Sequence, residues 1–204
     1  PLEVEFYEKN GCKGIHCYSG FDDNFSKPCF DEKYKCDVSA VITNLYNDSI
    51  WDINKQKINR KTLIDQLYNN KSINLHIYGN ENIKNAYPDS YKGFISYNNC
   101  NKVFSNSSIN LCIHAISIDG YLSERAAQII GSGGLLFTDN EIGIGFIPGI
   151  DYELVHNSET AYEQIINLLN DEEKRKIMIS KSYEKRENIN WDKFINLIIN
   201  ENNK

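Results

Sequence analysis

The residues best suited to chemistry in this chain lie at 107–139, in the run SSINLCIHAISIDGYLSERAAQIIGSGGLLFTD. An apolar stretch ends at His114, a polar loop follows, and Ser123 stands where a helix would begin, with Arg125 in its first turn and Gln128 a turn later. Ser123 can cap that helix, and amides at a helix N-terminus hold phosphate oxygens without any excess of basic side chains. Arg125 can pair with a diphosphate and stabilise a departing nucleotide, or it can sit in a surface ion pair with Glu124 or Asp119. His114, at a strand end, can touch a sugar or phosphate or serve the structure alone. The glycines Gly131, Gly133 and Gly134 run from helix to strand, the reverse of a phosphate loop, and so read as a helix C-cap and tight turn. Ser/His/Asp triads, H-E-x-x-H and P-loop patterns are absent.

These residues need elements to hold them. Residues 37–43 (DVSAVIT) form a short apolar, β-branched run of the kind that makes a buried parallel strand. A polar loop follows, then a helix over 60–68 and a strand over 73–78 closed by Gly79. The pattern continues with a strand at 91–96 and a short helix at 98–105, with Val103 and Phe104 inward. Strands at 109–114, 135–138 and 152–155 enclose the helix at 123–130. Three helices finish the chain: one capped by Ser158, a charged one at 172–185, and a last one with Trp191, Phe194, Ile195 and Ile198 as its apolar stripe. Strands alternating with helices at this spacing predict a Rossmann-like, doubly wound α/β sheet whose ligands bind beyond the carboxyl ends of the strands. Residues 1–36, broken by Gly11, Gly14, Gly20 and Pro28, read as a short strand or two and extended loop.

Composition narrows the class. With 204 residues, 41% of them hydrophobic and 12% aromatic, the chain can bury a real core. A net charge of −6 with scattered Lys and Arg disfavours nucleic acid and anionic membranes as partners. No apolar run reaches membrane-spanning length and no signal peptide opens the sequence, so a cytoplasmic location is expected. The chain begins at Pro1, which leaves room for sequence upstream. Six cysteines, Cys12, Cys17, Cys29, Cys36, Cys100 and Cys112, include no C-x-x-C pair. They read as ordinary thiols, with a metal or disulfide cluster as the minor alternative, and no metal is expected.

INLCIH, DGYLSERAAQIIGSGGLLFTD, the Pro-Gly turn, DYELVHN and the helix SETAYEQIINLL together resemble the nucleotide-binding half of family-1-type glycosyltransferases of the GT-B fold, with most likeness to the spore-maturation CgeB-like group. GIHCYSGFDDNFSKPCFDEKYKCDVSAVIT is similar to that group's crossover into its C-terminal domain, and SYEKR to its terminal-helix motif, so the resemblance covers most of the chain. It implies a crossover segment at 1–36 and a donor-binding domain with C-terminal helices at 37–204. It implies a nucleotide-diphosphate sugar as donor, a UDP-sugar foremost, an unknown acceptor, and a further Rossmann-like domain N-terminal to this one.

The residue that holds the ribose in that family is acidic, and here it is Gln128; its partner acid falls on Gly120, beside Asp119. An amide still accepts from a hydroxyl but carries no charge. Tyr121, Leu122, Ser123, Glu124 and Arg125 would follow the diphosphate, with His114 near the transferred sugar. Phe94, Ile95 and Ser96 would pass the base, and Thr43 and Asn44 approach the phosphates. Two alternatives stand beside this reading: a GT-B-like binding module without catalysis, consistent with the two missing acids, and an unrelated flavodoxin-like domain.

Overall fold

The computed structural model describes residues 8–11, 19–43, 45, 58–114 and 120–202. The chain alternates strand and helix through β1 (Cys36–Val41), α1 (Arg60–Asn69), β2 (Leu75–Tyr78), α2 (Glu81–Ala86), α3 (Cys100–Phe104), β3 (Ser107–Cys112), α4 (Glu124–Gly131), β4 (Leu136–Thr138) and β5 (Glu153–Leu154). Helices α5 (Ser158–Asn170), α6 (Glu172–Glu184) and α7 (Trp191–Asn202) complete it. Among the described residues the sheet has five strands in the order β2-β1-β3-β4-β5, every neighbouring pair parallel. This is the doubly wound α/β layer that the alternation predicts. The same order serves flavodoxin-like domains, so strand order leaves that alternative standing.

Side-chain alternation along the strands builds two cores, one on each face. Val38, Ala40, Ile77, Ile109, Leu111 and Phe137 meet Leu63, Ile64 and Leu67 of α1 and Ala161, Ile165 and Leu168 of α5. On the other face Cys112, Leu136 and Leu154 meet Val103 and Phe104 of α3 and Ala126, Ala127, Ile129 and Ile130 of α4. Both faces are covered, which is why the strands read as near-continuous apolar runs. A buried polar link crosses the second face: Ser39 Oγ donates to Asn110 Oδ1 (2.7 Å), and Asn110 Nδ2 donates to Phe104 O (3.1 Å).

The turn from α4 to β4 explains the glycine cluster. Gly133 takes φ +71°, the left-handed conformation of a helix C-cap, and its N–H returns to Ile130 O (3.0 Å). A Cβ on Gly134 would stand 2.6 Å from both Phe104 O and Asn110 Nδ2, so only glycine lets helix and strand close to this distance.

Several expectations change. Residues 91–96 are no strand: Tyr91 makes an isolated bridge to Ile77, the backbone follows the end of β2 only as far as Gly93 O, which accepts from Gly79 N (3.0 Å), and Gly93 takes φ +95°. The polar helix α2, with Ile83 as its buried residue, occupies the connection just before it. Asn157 rather than Ser158 caps α5, its Oδ1 accepting from Thr160 N (3.0 Å), while Ser158 Oγ accepts from Asn59 N (2.9 Å). In α7 Phe194 is buried, but Ile195, Ile198 and Ile199 are 41–51% exposed, so the expected stripe faces outward. Residues 19–35 contain turns and the 3-10 turn Glu32–Tyr34 instead of a strand, with Phe21 in an isolated bridge to Asn190. That segment is part of the body: Phe21 is fully buried, and Cys29 N and Asp31 N donate to Ser105 Oγ and Asn106 Oδ1.

Candidate functional site

The site lies where strand order reverses. From β1 the chain crosses to β2 on one side of the sheet, and from β3 to β4 on the other, which opens a crevice beyond the carboxyl ends of β1 and β3. It measures about 390 Å³. Val41 ends β1 at its floor, Ile113 and His114 continue β3 along it, and Tyr121, Ser123, Glu124, Arg125 and Gln128 form the wall made by α4. Arg60, at the start of α1, and Tyr97 close the remaining sides. A smaller pocket of about 100 Å³ adjoins it, sharing Val41 and Arg125 and adding Thr43, Phe94 and Ile95.

Local sequence sets α4 in place. Ser123 has extended backbone, and its Oγ accepts from Ala126 N (3.3 Å), the N-cap arrangement. Ala126, Ala127, Ile129 and Ile130 bury the opposite face, so Arg125 and Gln128 are turned to the crevice. Gln128 is 6% exposed and walls the crevice, which rules out a solvent-facing role. Among the described residues Arg125 makes no ion pair with Glu124, so its guanidinium is available to a ligand. Tyr97 faces Gln128 and Glu124; burial and the Glu124 carboxylate raise its phenol, although Gln128 pulls the other way.

Arg60 is 5% exposed, and its Nη2 donates to Ile113 O beneath the crevice floor. Beside it, His114 is held by Asp139: Oδ1 accepts from the His114 backbone N–H (3.0 Å) and meets Nδ1 at 2.6 Å. The other ring nitrogen lies 3.8 Å from Cys112 Sγ, which also meets Ser123 Oγ at 3.4 Å. Burial works against a charge on His114, but Cys112 and Asp139 outweigh it and raise the imidazole above its ordinary value. Burial likewise works against a Cys112 thiolate, and His114 with Arg125 outweighs it and draws the thiol down. Two guanidinium groups, Arg60 and Arg125, and the imidazole of His114 therefore line one crevice. That set, with the first amides of α4, suits a doubly charged anion such as a diphosphate.

The residues singled out from sequence divide as follows. His114, Tyr121, Ser123, Glu124, Arg125 and Gln128 come together in the crevice, while Thr43, Phe94 and Ile95 lie in the adjoining pocket. Phe94 is 76% exposed, an open face beside Arg125. Ser96 lines neither and accepts from Asn99 Nδ2 (2.8 Å). Leu122 points into the core at 1% exposure, and Gly120, at φ +80°, donates to Glu141 O (2.8 Å). Asn44 and Asp119 lie outside the described residues. Sequence reasoning did not single out Arg60, Tyr97 or Asp139. The meeting of Asp139 with His114 follows from strand register: Cys112 pairs with Thr138 across parallel strands, which puts the residues just beyond each strand side by side. Among the described residues no three His, Cys, Asp or Glu side chains form a metal site, and Cys29, Cys36, Cys100 and Cys112 are free thiols. Cys12, Cys17 and His16 lie outside the described residues.

A family model described as glycosyl transferase-like matches residues 57–195, which include the described walls of the crevice apart from Val41. Solved structures of similar fold include sucrose-phosphate synthase from Thermosynechococcus elongatus, at 14% identity and TM-score 0.66 over 98% of this chain and 55% of that one. The pneumococcal O-GlcNAc transferase GtfA in complex with UDP and GlcNAc matches at 13% identity and TM-score 0.55 over 97% and 44%. An α1,3-fucosyltransferase with GDP matches at 18% and 0.51 over 73% and 39%. The chain thus spans about half, or less, of the length of these structures. No curated protein matches it.

Proposed function

Because the chain belongs to the glycosyl transferase-like family, we propose that its crevice binds the nucleoside diphosphate of a sugar donor. The carrying observation is the convergence of Arg125, Arg60 and His114 on the N-terminal end of α4. In this reading the α4 amides, Arg125 and Arg60 hold the two phosphates, and positive charge there stabilises the nucleotide as the sugar leaves. Gln128 receives the ribose, Phe94 and Ile95 flank the base, and Tyr121 and His114 border the transferred sugar. Two of the structures of similar fold hold UDP or GDP, so both nucleotides belong in the test.

Residues 37–204 would then be the C-terminal, donor-binding half of a GT-B enzyme of the CgeB-like group, with 1–36 as the crossover. The acceptor and its binding domain would lie N-terminal to this chain, in keeping with the 55% and 44% coverage of the longer structures. Nucleotide sugars and free thiols both fit the cytoplasm. No helix among the described residues is long and apolar enough to cross a membrane. The family assignment, not the strand order, sets aside the flavodoxin-like alternative.

Calorimetry with UDP, GDP and their sugars tests the proposal. Saturable binding is expected, weakened about tenfold or more by Arg125→Ala, the loss of a charge-assisted contact, and less by Gln128→Ala. No binding at millimolar nucleotide, or binding indifferent to both substitutions, overturns it. The uncharged Gln128 favours one second reading, a binding module that holds nucleotide without transferring sugar; sugar transfer by the full-length wild-type protein would decide against it, and transfer gained only in a Gln128→Glu variant would support it.

A further inference from the structure

The structure holds one buried carboxylate at the crevice to which no motif points. Asp139 follows β4 at 0% exposure, and a single oxygen, Oδ1, takes both the backbone N–H and Nδ1 of His114. A carboxylate oxygen only accepts, so Nδ1 carries its proton, and the ring is fixed in both position and orientation. Nε2, on the opposite edge of the ring, lies 3.8 Å from the buried Cys112 Sγ, which in turn meets Ser123 Oγ, and His114 and Ser123 both wall the crevice. A carboxylate in direct contact with an imidazole favours the charged form of the ring.

We propose that Asp139 is a positioning residue of the donor site: it clamps the His114 ring through Nδ1 and so holds a cationic imidazole in the crevice wall beside the donor's phosphates. This rests on the donor-site reading given above. The other groups facing His114 divide in sign. Arg125 and Arg60 work against its charge, and Glu124 and any Cys112 thiolate work with it, while Tyr121 meets it edge-on at 6.0 Å between ring centroids. Asp139 lies in direct contact at 2.6 Å, and a carboxylate that close favours the charged ring. Cys112 first and then Asp139 raise the imidazole, against burial.

Two measurements test the proposal. NMR titration of the histidine ring protons, with His114 assigned by its loss in His114→Ala, is read without nucleotide. His114 is expected to stay protonated through pH 8, and Asp139→Asn to bring its midpoint down to about 7. A wild-type midpoint near the ordinary ~6.5 overturns the proposal even where the variant fails to fold, and so does a midpoint that Asp139→Asn leaves unmoved. In calorimetry with UDP and GDP, Asp139→Asn is expected to weaken binding about tenfold at pH 8 and clearly less at pH 6, where the variant's imidazole recharges. It should add nothing on top of His114→Ala. An equal loss at both pH values marks a purely structural residue and overturns the role. If wild-type protein binds neither nucleotide, the donor-site reading itself falls, and the ligand-free titration shows that outcome to be separate from a failed clamp.

Discussion

His76 and His114 face the same side of the sheet, and their surroundings treat them oppositely. His114 is drawn toward its charged form by Cys112 and Asp139 against the opposition of burial. His76 on β2 is pushed down to about 4, by burial first and then by Lys92, with Asp37 opposing. The two shifts give pH dependences of opposite sign. A depressed folded value means that His76 contributes stability above its unfolded value near 6.5, and that this contribution is lost as pH falls toward about 4. His114, with its folded value raised, contributes below 6.5 and loses that contribution as pH rises. Urea unfolding at pH 7 and pH 5 should therefore show an acid-side loss in the wild type that His76→Leu diminishes; parallel losses in both proteins would remove His76 from the account. Residue-level legibility follows the chain: Ser123, Arg125 and Gln128 were visible because a loop and one helix turn carry them together. Asp139 and Arg60 reach the crevice only through strand register and a distant helix start, a proximity that no window of sequence displays.

At the scale of elements, the α4–β4 turn is a tightly constrained joint, and it sets the height at which Arg125 and Gln128 stand over the sheet. Gly134→Ala would place a methyl 2.6 Å from Phe104 O and Asn110 Nδ2, and neither can move without breaking the buried Ser39–Asn110 link. A loss of about 2 kcal/mol is expected, read by chemical denaturation with nucleotide affinity as a second readout. A variant as stable as wild type would show the joint to be slack. The helices and strands that carry cores were legible because burial on a sheet face imposes its own periodicity. Residues 91–96 have the aromatic and β-branched content of a strand, but Gly93 at φ +95° breaks the extended backbone, and the pairing with β2 ends there. The polar α2 carries too little apolar surface to show a helical pattern, with Ile83 as its buried residue.

At the scale of the whole molecule, the two ends of the described body close on one another through Phe21. Its N–H donates to Ile189 O (3.1 Å), its carbonyl accepts from Trp191 N (3.0 Å), and its ring packs against Gly131 under α4. Phe21→Ala should cost about 3–5 kcal/mol and loosen the helix that carries the site, so thermal unfolding and nucleotide affinity should fall together. A destabilised variant with unchanged affinity would separate the clasp from the crevice. The central strand carries a different consequence, one of timing. On one side β1 pairs with β2, but its other partner, β3, lies 71 positions further along, Cys36 meeting Ser107. During synthesis β1 must leave the ribosome with that flank unpaired, and it stays a bare, apolar strand edge until the residues of β3 have been translated. The line along which the crevice later opens is thus the seam whose two strands are made furthest apart in time, and the nascent chain waits longest for its proper partner at the edge of the candidate site.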